Sequence, residues 1–173
     1  MLASLPSTVC RLARHGSSFG ASLLALLSIH LWQTKDFRTS GLANALTETK
    51  IILIQAGREP KPVFVNNLIQ ELSGQEPSRP LALHLWEEWC SICKIQESSL
   101  ESLHKNHSVI TVAVQSGGAE KVAQVLEDRN LSMQTLVDPS GQWLSALGSR
   151  AVPSFMIINK RNELSWVKVG YTT

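Results

Sequence analysis

The segment Arg79–Lys94, with the sequence RPLALHLWEEWCSICK, decides the fold. Within it, Leu81–Trp86 is a short, mainly apolar run that follows turn-forming residues, which is typical of a strand buried on both faces. Cys90 and Cys93 come next, where the apolar spacing changes to that of a helix. The sequence therefore predicts a Cys-x-x-Cys pair at the point where a buried strand gives way to a helix.

This position gives the first cysteine its chemistry. Unpaired N–H groups and the macrodipole stabilise an anion at a helix N-terminus. The Cys90 thiolate should therefore be accessible near neutral pH, and the thiolate is the nucleophile in thiol–disulfide exchange. Cys93 lies within one helical turn and can resolve a mixed disulfide formed by Cys90. We expect Cys93 to be the more buried and the less reactive thiol.

Metal binding is the alternative chemistry for such a pair. Two cysteines at this spacing can form half of a zinc site, and soft thiolates also select Cu(I). His104 and His107 follow, but their spacing is not that of a zinc finger, and one continuous predicted helix separates them from the cysteines. The two histidines are more typical of a solvated helix end. Copper binding by Cys90 and Cys93 stays open as an alternative.

The chain after Cys93 alternates between helical and strand-like patterns. The predicted elements are a helix from the cysteines to residues 104–106, a buried strand Val109–Val114, an amphipathic helix Ala119–Asn130, a turn Asp138–Gly141, a short helix Trp143–Leu147, a strand Phe155–Ile158 and its antiparallel partner Leu164–Val169. Upstream, Lys50–Gln55 is a predicted edge strand and Gly74–Pro80 a predicted turn. This order predicts an α/β fold with a central mixed β-sheet flanked by helices.

Length and composition limit the class of protein. With 173 residues, 43% of them apolar and 17% charged, the chain fits one globular domain plus an appendage and is too apolar for global disorder. The net charge of +2 comes from the N-terminal tail, since residues 39–173 hold 12 basic and 13 acidic residues. A nucleic-acid partner is therefore not expected. Three cysteines, with Cys10 alone near the start, are too few for a disulfide scaffold.

The N-terminal part of the chain predicts a membrane anchor. Residues 17–33 are uncharged and mostly apolar, and as a helix they span about 25 Å, at the short end for crossing a bilayer. The Ala43-Asn44-Ala45 triplet lies too far downstream for signal-peptide cleavage, which favours an uncleaved signal anchor over a cleaved signal peptide or a buried helix. The expected organisation is a cytoplasmic tail (1–16), a transmembrane anchor (17–33), a linker (34–60) and a folded domain (61–173).

Several segments resemble a known family. Arg79–Lys94 is similar to the active-site strand and helix start of thioredoxin-like proteins, and Ala151–Phe155 (AVPSF) resembles the loop that carries their cis-proline. Gly170 falls where these chains have a glycine after the last strand. With the anchor and the additional helix Ala119–Asn130, the chain resembles the membrane-anchored TlpA-like reductases, in particular the suppressor-of-copper-sensitivity D type. The resemblance implies a thioredoxin-like fold and a thiol–disulfide oxidoreductase.

The resemblance also assigns roles to single residues. It implies that Cys90 is the nucleophile and Cys93 the resolving thiol of a redox-active disulfide. It implies that Pro153 is a cis-proline beside the dithiol and that the Val152 backbone pairs with an incoming peptide. Trp89 corresponds to the exposed indole that precedes the nucleophile, where it contributes to substrate docking.

The chain departs from the family pattern at other positions. Many thioredoxins carry a buried aspartate where this chain has His84, whose neutral imidazole could accept the proton of Cys93 or simply be a buried histidine of the strand. Glu87 is the second candidate for a proton relay, and Glu88 is expected to be mostly solvated. No histidine or proline separates the cysteines, which argues against a strong oxidant. The chain ends at Thr173, so the usual final helix is expected to be missing or the sequence to be incomplete.

These observations predict a membrane-anchored periplasmic enzyme, a protein disulfide reductase that needs no cofactor or metal because its dithiol carries the two electrons. The expected partners are protein substrates with disulfides, a membrane thiol–disulfide electron-transfer protein as the reductant, and the inner membrane itself. The alternative is a periplasmic copper-binding or metallochaperone module that uses the same thiolates. The cis-proline favours exchange, because substrate docking needs it and copper binding does not.

Overall fold

The computed structural model describes residues 49–75, 80–159 and 163–172. Within these residues the chain forms seven strands and four helices. In chain order they are β1 (Lys50–Ile54), β2 (Lys61–Phe64), α1 (Val65–Gln75), β3 (Leu81–Trp86), α2 (Ser91–His104), β4 (Val109–Val114), α3 (Ala119–Asp128), β5 (Gln134–Asp138), α4 (Gln142–Leu147), β6 (Ser154–Ile158) and β7 (Leu164–Val169).

All seven strands belong to one mixed sheet in the order β2-β1-β5-β4-β3-β6-β7. The central strand β3 pairs in parallel with β4 and antiparallel with β6. Every residue of β3 and β4 is buried, because both faces of these strands are covered. The predicted α/β fold with a central mixed sheet and flanking helices is confirmed.

Side chains of β3 alternate between two cores. Leu83 and Leu85 belong to a core that contains side chains of α1 and α4. Ala82 and Trp86 belong to a core on the other face, which contains side chains of α2 and α3. Because alternate residues of a strand share a face, His84 points to the α2 side of the sheet. This is also the side that holds both cysteines.

The strands and helices around the cysteines agree with the sequence predictions. Leu81–Trp86 and Val109–Val114 are strands with the predicted bounds, and the amphipathic helix ends at Asp128. The predicted turn Gly74–Pro80 begins too early, because α1 runs to Gln75. Sequence reasoning missed α1, β2 and β5. Since Val65 of α1 follows β2 directly, no polar turn residues mark that boundary.

The predicted edge position of Lys50–Gln55 is wrong. β1 pairs with β2 on one side and with β5 on the other, so it lies inside the sheet. The edge strand on this side of the sheet is β2, and an edge tolerates Pro62, whose nitrogen has no hydrogen to donate to a ladder. Leu53 and Ile54 are buried, as an interior strand requires. The predicted linker 34–60 therefore includes a strand of the sheet.

The predicted tail (1–16) and anchor (17–33) lie outside the described residues. Among the residues that are described, no helix has the length and apolar character needed to cross a membrane. Within this same part of the chain, no helix follows β7.

Candidate active site

Cys90 and Cys93 form a disulfide at the start of α2. Cys90 is the residue before the first helical turn, and its sulfur accepts a hydrogen bond from the Cys93 backbone N–H at 3.2 Å. That N–H is one of the groups that a helix N-terminus leaves without a helical partner. When the disulfide is reduced, the same group is available to stabilise a Cys90 thiolate.

The two cysteines differ in exposure as the sequence predicts. Cys93 is 2% exposed and Cys90 is 8% exposed. Trp89, directly before Cys90, is 67% exposed, so its indole projects into solvent beside the disulfide. Trp89 and Cys90 are therefore more accessible from solvent than Cys93.

Backbone hydrogen bonds hold the turn between β3 and α2. The Cys90 N–H donates to the Glu87 carbonyl at 3.1 Å, and the Lys94 N–H donates to the Cys90 carbonyl at 3.2 Å. The Glu88 N–H donates to Ser116 Oγ at 2.9 Å, and that hydroxyl donates to the Val114 carbonyl at the end of β4. The turn is thus fixed to the neighbouring strand as well as to its own helix.

The loop before β6 approaches the same end of the sheet. The Val152–Pro153 peptide bond is cis. Val152 packs against the core that contains both cysteines, and Pro153 is buried. The Pro153 carbonyl accepts a hydrogen bond from the Gly170 N–H at 2.8 Å, whereas no backbone hydrogen bond joins Val152 to another described residue. The Val152 backbone is therefore available to pair with a peptide.

His84 lies on the face of β3 that packs against α2, and it is 2% exposed. Neither of its ring nitrogens has a hydrogen-bond partner among the described residues. Burial lowers the pKa of His84 to about 4. The Gln96 side chain opposes this shift but has the smaller effect, and it makes no hydrogen bond to the ring. His84 is therefore neutral at neutral pH. With Cys93 and Glu97 it lines a cavity of about 10 Å³, roughly the volume that one water molecule needs.

The two glutamates of the turn have different surroundings. Glu87 is 5% exposed, and burial raises the pKa of its carboxyl group. Glu88 is only partly solvated, because its carboxylate pairs with Lys121 at 3.2 Å and its side chain is 29% exposed. The expectation that Glu88 is mostly solvated is therefore wrong, since α3 brings a cation to it.

The structure separates the histidines of the zinc alternative from the cysteines. His104 is the last residue of α2, about 20 Å from its start at the helical rise, so it cannot share a metal ion with Cys90. Within residues 49–75, 80–159 and 163–172, no group of three or more His, Cys, Asp or Glu side chains is placed to hold a metal ion.

Sequence reasoning missed polar residues that are distant in sequence but form hydrogen bonds around the site. Ser116 contacts a residue 28 positions away, and Gln96 Nε2 donates to the Thr172 carbonyl, 76 positions away, at 2.9 Å. Arg129 donates a hydrogen bond to the Glu88 carbonyl in the turn, 41 positions away in sequence. No local sequence pattern signals such contacts, because they depend on which elements the fold brings together.

The fold and the site together define a thioredoxin-like protein with a Cys-x-x-Cys disulfide at a helix N-terminus. Residues 67–167 match the AhpC/TSA family, and the chain belongs to that family. The match covers β3, the disulfide, the cis-proline loop and most of β7.

Similar proteins have related descriptions. The chain is 26% identical over 150 residues to a thioredoxin-like protein of Haemophilus influenzae, covering 80% of this chain and 89% of that protein. It is 26% identical over 162 residues to the thiol-disulfide oxidoreductase ResA of Halalkalibacterium halodurans, covering 88% and 85%. The fold resembles the exposed lipoprotein thioredoxin Etrx1 of Streptococcus pneumoniae, with a TM-score of 0.57, 19% identity and coverage of 72% and 92%. The similarity to ResA supports a redox enzyme, and the similarity to Etrx1 supports the fold.

Proposed function

We propose that this protein is a membrane-anchored, periplasmic protein disulfide reductase. The observation that carries the proposal is the Cys90–Cys93 disulfide at the N-terminus of α2, next to the cis Val152–Pro153 bond. The similarity to a protein named thiol-disulfide oxidoreductase supports the same reaction class.

The reaction starts from the reduced dithiol. The Cys90 thiolate attacks one sulfur of a substrate disulfide, a mixed disulfide forms, and the other substrate sulfur leaves as a thiolate that takes up a proton. Cys93 then loses its proton and attacks the Cys90 sulfur. This step releases the reduced substrate and forms the Cys90–Cys93 disulfide. Two electrons have passed to the substrate, and a membrane thiol–disulfide electron-transfer protein returns two electrons to the dithiol.

His84 is the proposed acceptor of the Cys93 proton. Its imidazole has no partner among the described residues and shares a cavity with Cys93. Because its pKa is about 4, it passes the proton on and does not keep it at neutral pH. Glu87 is the second candidate, because its raised pKa lets it hold a proton at a higher pH than an ordinary glutamate. His84 is favoured, since Glu87 does not line that cavity. Replacing His84 by Leu should slow release of the mixed disulfide on the order of a hundredfold, whereas Glu87→Gln should slow it much less.

Substrate docking is proposed for Trp89, Val152 and Pro153. The exposed indole offers apolar contact area, and the unpaired Val152 backbone can add an extended peptide as a short strand. Pro153 fixes the direction of that backbone beside the disulfide. A peptide bound in this way brings its own disulfide to Cys90.

The reductase activity is tested by the reduction of insulin disulfides. The full chain should be active, Cys90→Ser should abolish the activity, and Cys10→Ser should leave it unchanged, because Cys10 lies outside the thioredoxin-like domain in sequence. Equal activity in Cys90→Ser and wild type would rule out the proposed nucleophile. Stable Cu(I) retention by the reduced protein without any reductase activity would favour the copper-binding alternative.

Labelling of Cys90 and Cys10 tests the proposed membrane topology. A membrane-impermeant maleimide added to intact spheroplasts after reduction should label Cys90 and not Cys10, and the protein should remain in the membrane fraction after carbonate washing. Labelling of Cys10 alone would reverse the proposed orientation. Release of the protein by carbonate would contradict the anchor at residues 17–33.

A further inference from the structure

Arg129, directly after α3, reaches the turn that carries the disulfide. Its Nη2 donates to the Glu88 carbonyl at 3.0 Å, and its Nη1 donates to Glu97 Oε1 at 2.6 Å. Its side chain is only 19% exposed, as is that of Glu97. The Arg129 backbone N–H donates to the Val125 carbonyl at 3.2 Å, so the guanidinium is presented from the end of a helix. One side chain therefore joins α3, α2 and the turn before Cys90.

Both groups held by Arg129 belong to the surroundings of the dithiol. The Glu88 carbonyl lies two residues before Cys90, in the turn that also carries Trp89. Glu97 lies one helical turn after Cys93 and lines the small cavity with Cys93. The planar guanidinium can hold two acceptors at a fixed mutual geometry, which a lysine ammonium cannot do.

The charges around the dithiol give this contact an electrostatic consequence. Among the titratable groups on the surrounding elements are His84, Glu87 and Glu88 from β3 and its turn, Glu97 from α2, and Lys121 and Arg129 from α3 and its end. Lys94, directly after Cys93, is exposed. Unpaired carboxylates near a thiol disfavour the thiolate and raise the pKa of the thiol. Arg129 pairs with Glu97 at 2.6 Å and approaches the Glu88 carboxylate at 4.0 Å. Since these groups are partly buried, solvent screens them less than exposed pairs.

We infer that Arg129 is a positioning residue for the exchange reaction, which fixes the turn before Cys90 and keeps the Glu97 carboxylate paired. The inference rests on the proposed function, because it concerns the reactivity of the same dithiol. Without Arg129 the carboxylate of Glu97 is left unpaired beside Cys93, and the Glu88 carbonyl loses its donor. The Cys90 thiolate then becomes less available at neutral pH.

Lys121 provides a matched control. It also pairs with Glu88, at 3.2 Å from Nζ to Oε2, but its side chain is 57% exposed. It contacts neither the Glu88 carbonyl nor Glu97. Lys121→Gln therefore removes a cation from the same carboxylate and leaves the contact between the turn and α2 in place.

The test measures the pH dependence of Cys90 alkylation in the reduced full-chain protein, with Cys10→Ser in every variant. Arg129→Gln should raise the apparent pKa of Cys90 by about half a unit or more and slow alkylation at neutral pH about threefold. Lys121→Gln should change both values in the same direction but less than Arg129→Gln does, because Arg129 stays near the Glu88 carboxylate at 4.0 Å and Glu97 stays paired. Adding Glu97→Gln to Arg129→Gln should bring the apparent pKa back toward the parent value, because the unpaired carboxylate is gone.

Thermal unfolding of the same variants separates positioning from support of the fold. If Arg129→Gln lowers the melting temperature and leaves the apparent pKa of Cys90 unchanged, Arg129 only stabilises the fold and the inference is wrong. If Arg129→Gln does not fold, Arg129→Lys must still raise the apparent pKa, since an ammonium cannot bridge both acceptors. A parent protein without reductase activity contradicts the proposed function, whatever the variants show.

Discussion

The N-terminal end of α2 carries Cys90 and Cys93, and the C-terminal end carries His104 and His107. The two ends differ in the groups that surround these side chains. At the N-terminal end, Cys90 accepts a hydrogen bond from a helical N–H that has no partner within the helix, and hydrogen bonds with residues that follow β4 and α3 hold the preceding turn. At the C-terminal end, His107 is exposed, and its N–H donates to the Leu103 carbonyl within the last turn of the helix. The polarity of the helix favours anions at its start, so a thiolate belongs there.

The same helix would not activate a thiol at its C-terminal end, where the macrodipole disfavours an anion. An activated thiol needs the positive end of the helix, a buried resolving partner and a surface where a substrate can dock. The proposed function assigns all three to the surroundings of Cys90, where β3, β6 and α2 meet.

After loss of the nucleophile itself, replacing Cys93 by Ser should have the largest effect on catalysis. Cys90 can still attack a substrate, but the mixed disulfide cannot be resolved from within the protein. Turnover should fall on the order of a thousandfold or more, and the substrate should remain attached to Cys90. Non-reducing gel electrophoresis with mass spectrometry detects the adduct. Normal turnover without a trapped adduct would mean that Cys93 is not the resolving thiol.

Because His84 is buried in the neutral state, the stability of the oxidised protein should depend on pH. Its pKa is about 4 in the folded protein, against 6.5 for an unperturbed histidine. Between these values the unfolded chain binds a proton that the folded protein does not, so the free energy of unfolding decreases as the pH falls from about 6.5 to about 4. The contribution of His84 to that decrease is about 3 kcal/mol.

The measurement is urea unfolding of the wild type and of His84→Leu across this pH range. The leucine variant should lose less stability on acidification, because it has no proton to bind in the unfolded state. Comparing the two proteins removes the contribution of Glu87, whose raised pKa acts in the opposite direction. Parallel pH curves would show that His84 is not buried in a neutral state.

Trp89 and Trp86 lie near the N-terminal end of α2 but differ in exposure, so replacing them should have different effects. Trp89 is 67% exposed, so Trp89→Ala should change the free energy of unfolding by less than about 0.5 kcal/mol and yet raise the KM for a protein substrate several-fold. Trp86 is 4% exposed and its Nε1 donates to Thr111 Oγ1 at 3.2 Å. Trp86→Ala should cost about 3–5 kcal/mol. An unchanged KM in Trp89→Ala would exclude the indole from docking.

His107 should give the smallest effect. His107→Gln changes an exposed side chain after the C-terminal end of α2, so stability should change by less than about 0.5 kcal/mol and reductase activity should not change. Insulin reduction and urea unfolding measure both. A marked loss of activity would show that the C-terminal end of the helix has a role that the comparison of the two ends does not assign to it.

Much of this arrangement could be predicted from local sequence. The buried strand β3, the helix start at the cysteines and β4 have strong patterns over a few residues each, and the structure has them at the predicted positions. Resemblance to thioredoxin-like proteins pointed to the cis bond at Pro153. These features depend on neighbours in sequence or on a short motif, which is why they are visible without a structure.

The features that could not be predicted depend on long-range packing. The interior place of β1 follows from its pairing with β5, which lies more than eighty residues further along the chain. The contact of Arg129 with Glu88 spans 41 positions and joins two elements that no sequence pattern connects. The lack of a partner for His84 likewise becomes visible only when β3, α2 and the C-terminal residues pack together.

A redox titration of the full chain in thiol–disulfide buffers, with Cys10→Ser and with alkylation mass shifts as the readout, tests the central claim most directly. A protein disulfide reductase should form a reversible Cys90–Cys93 disulfide with a potential well below the roughly −180 mV of protein disulfide isomerase. A potential near the roughly −120 mV of a strong periplasmic oxidant would contradict a reductase. If no reversible disulfide formed at any potential, the dithiol would not be a redox centre.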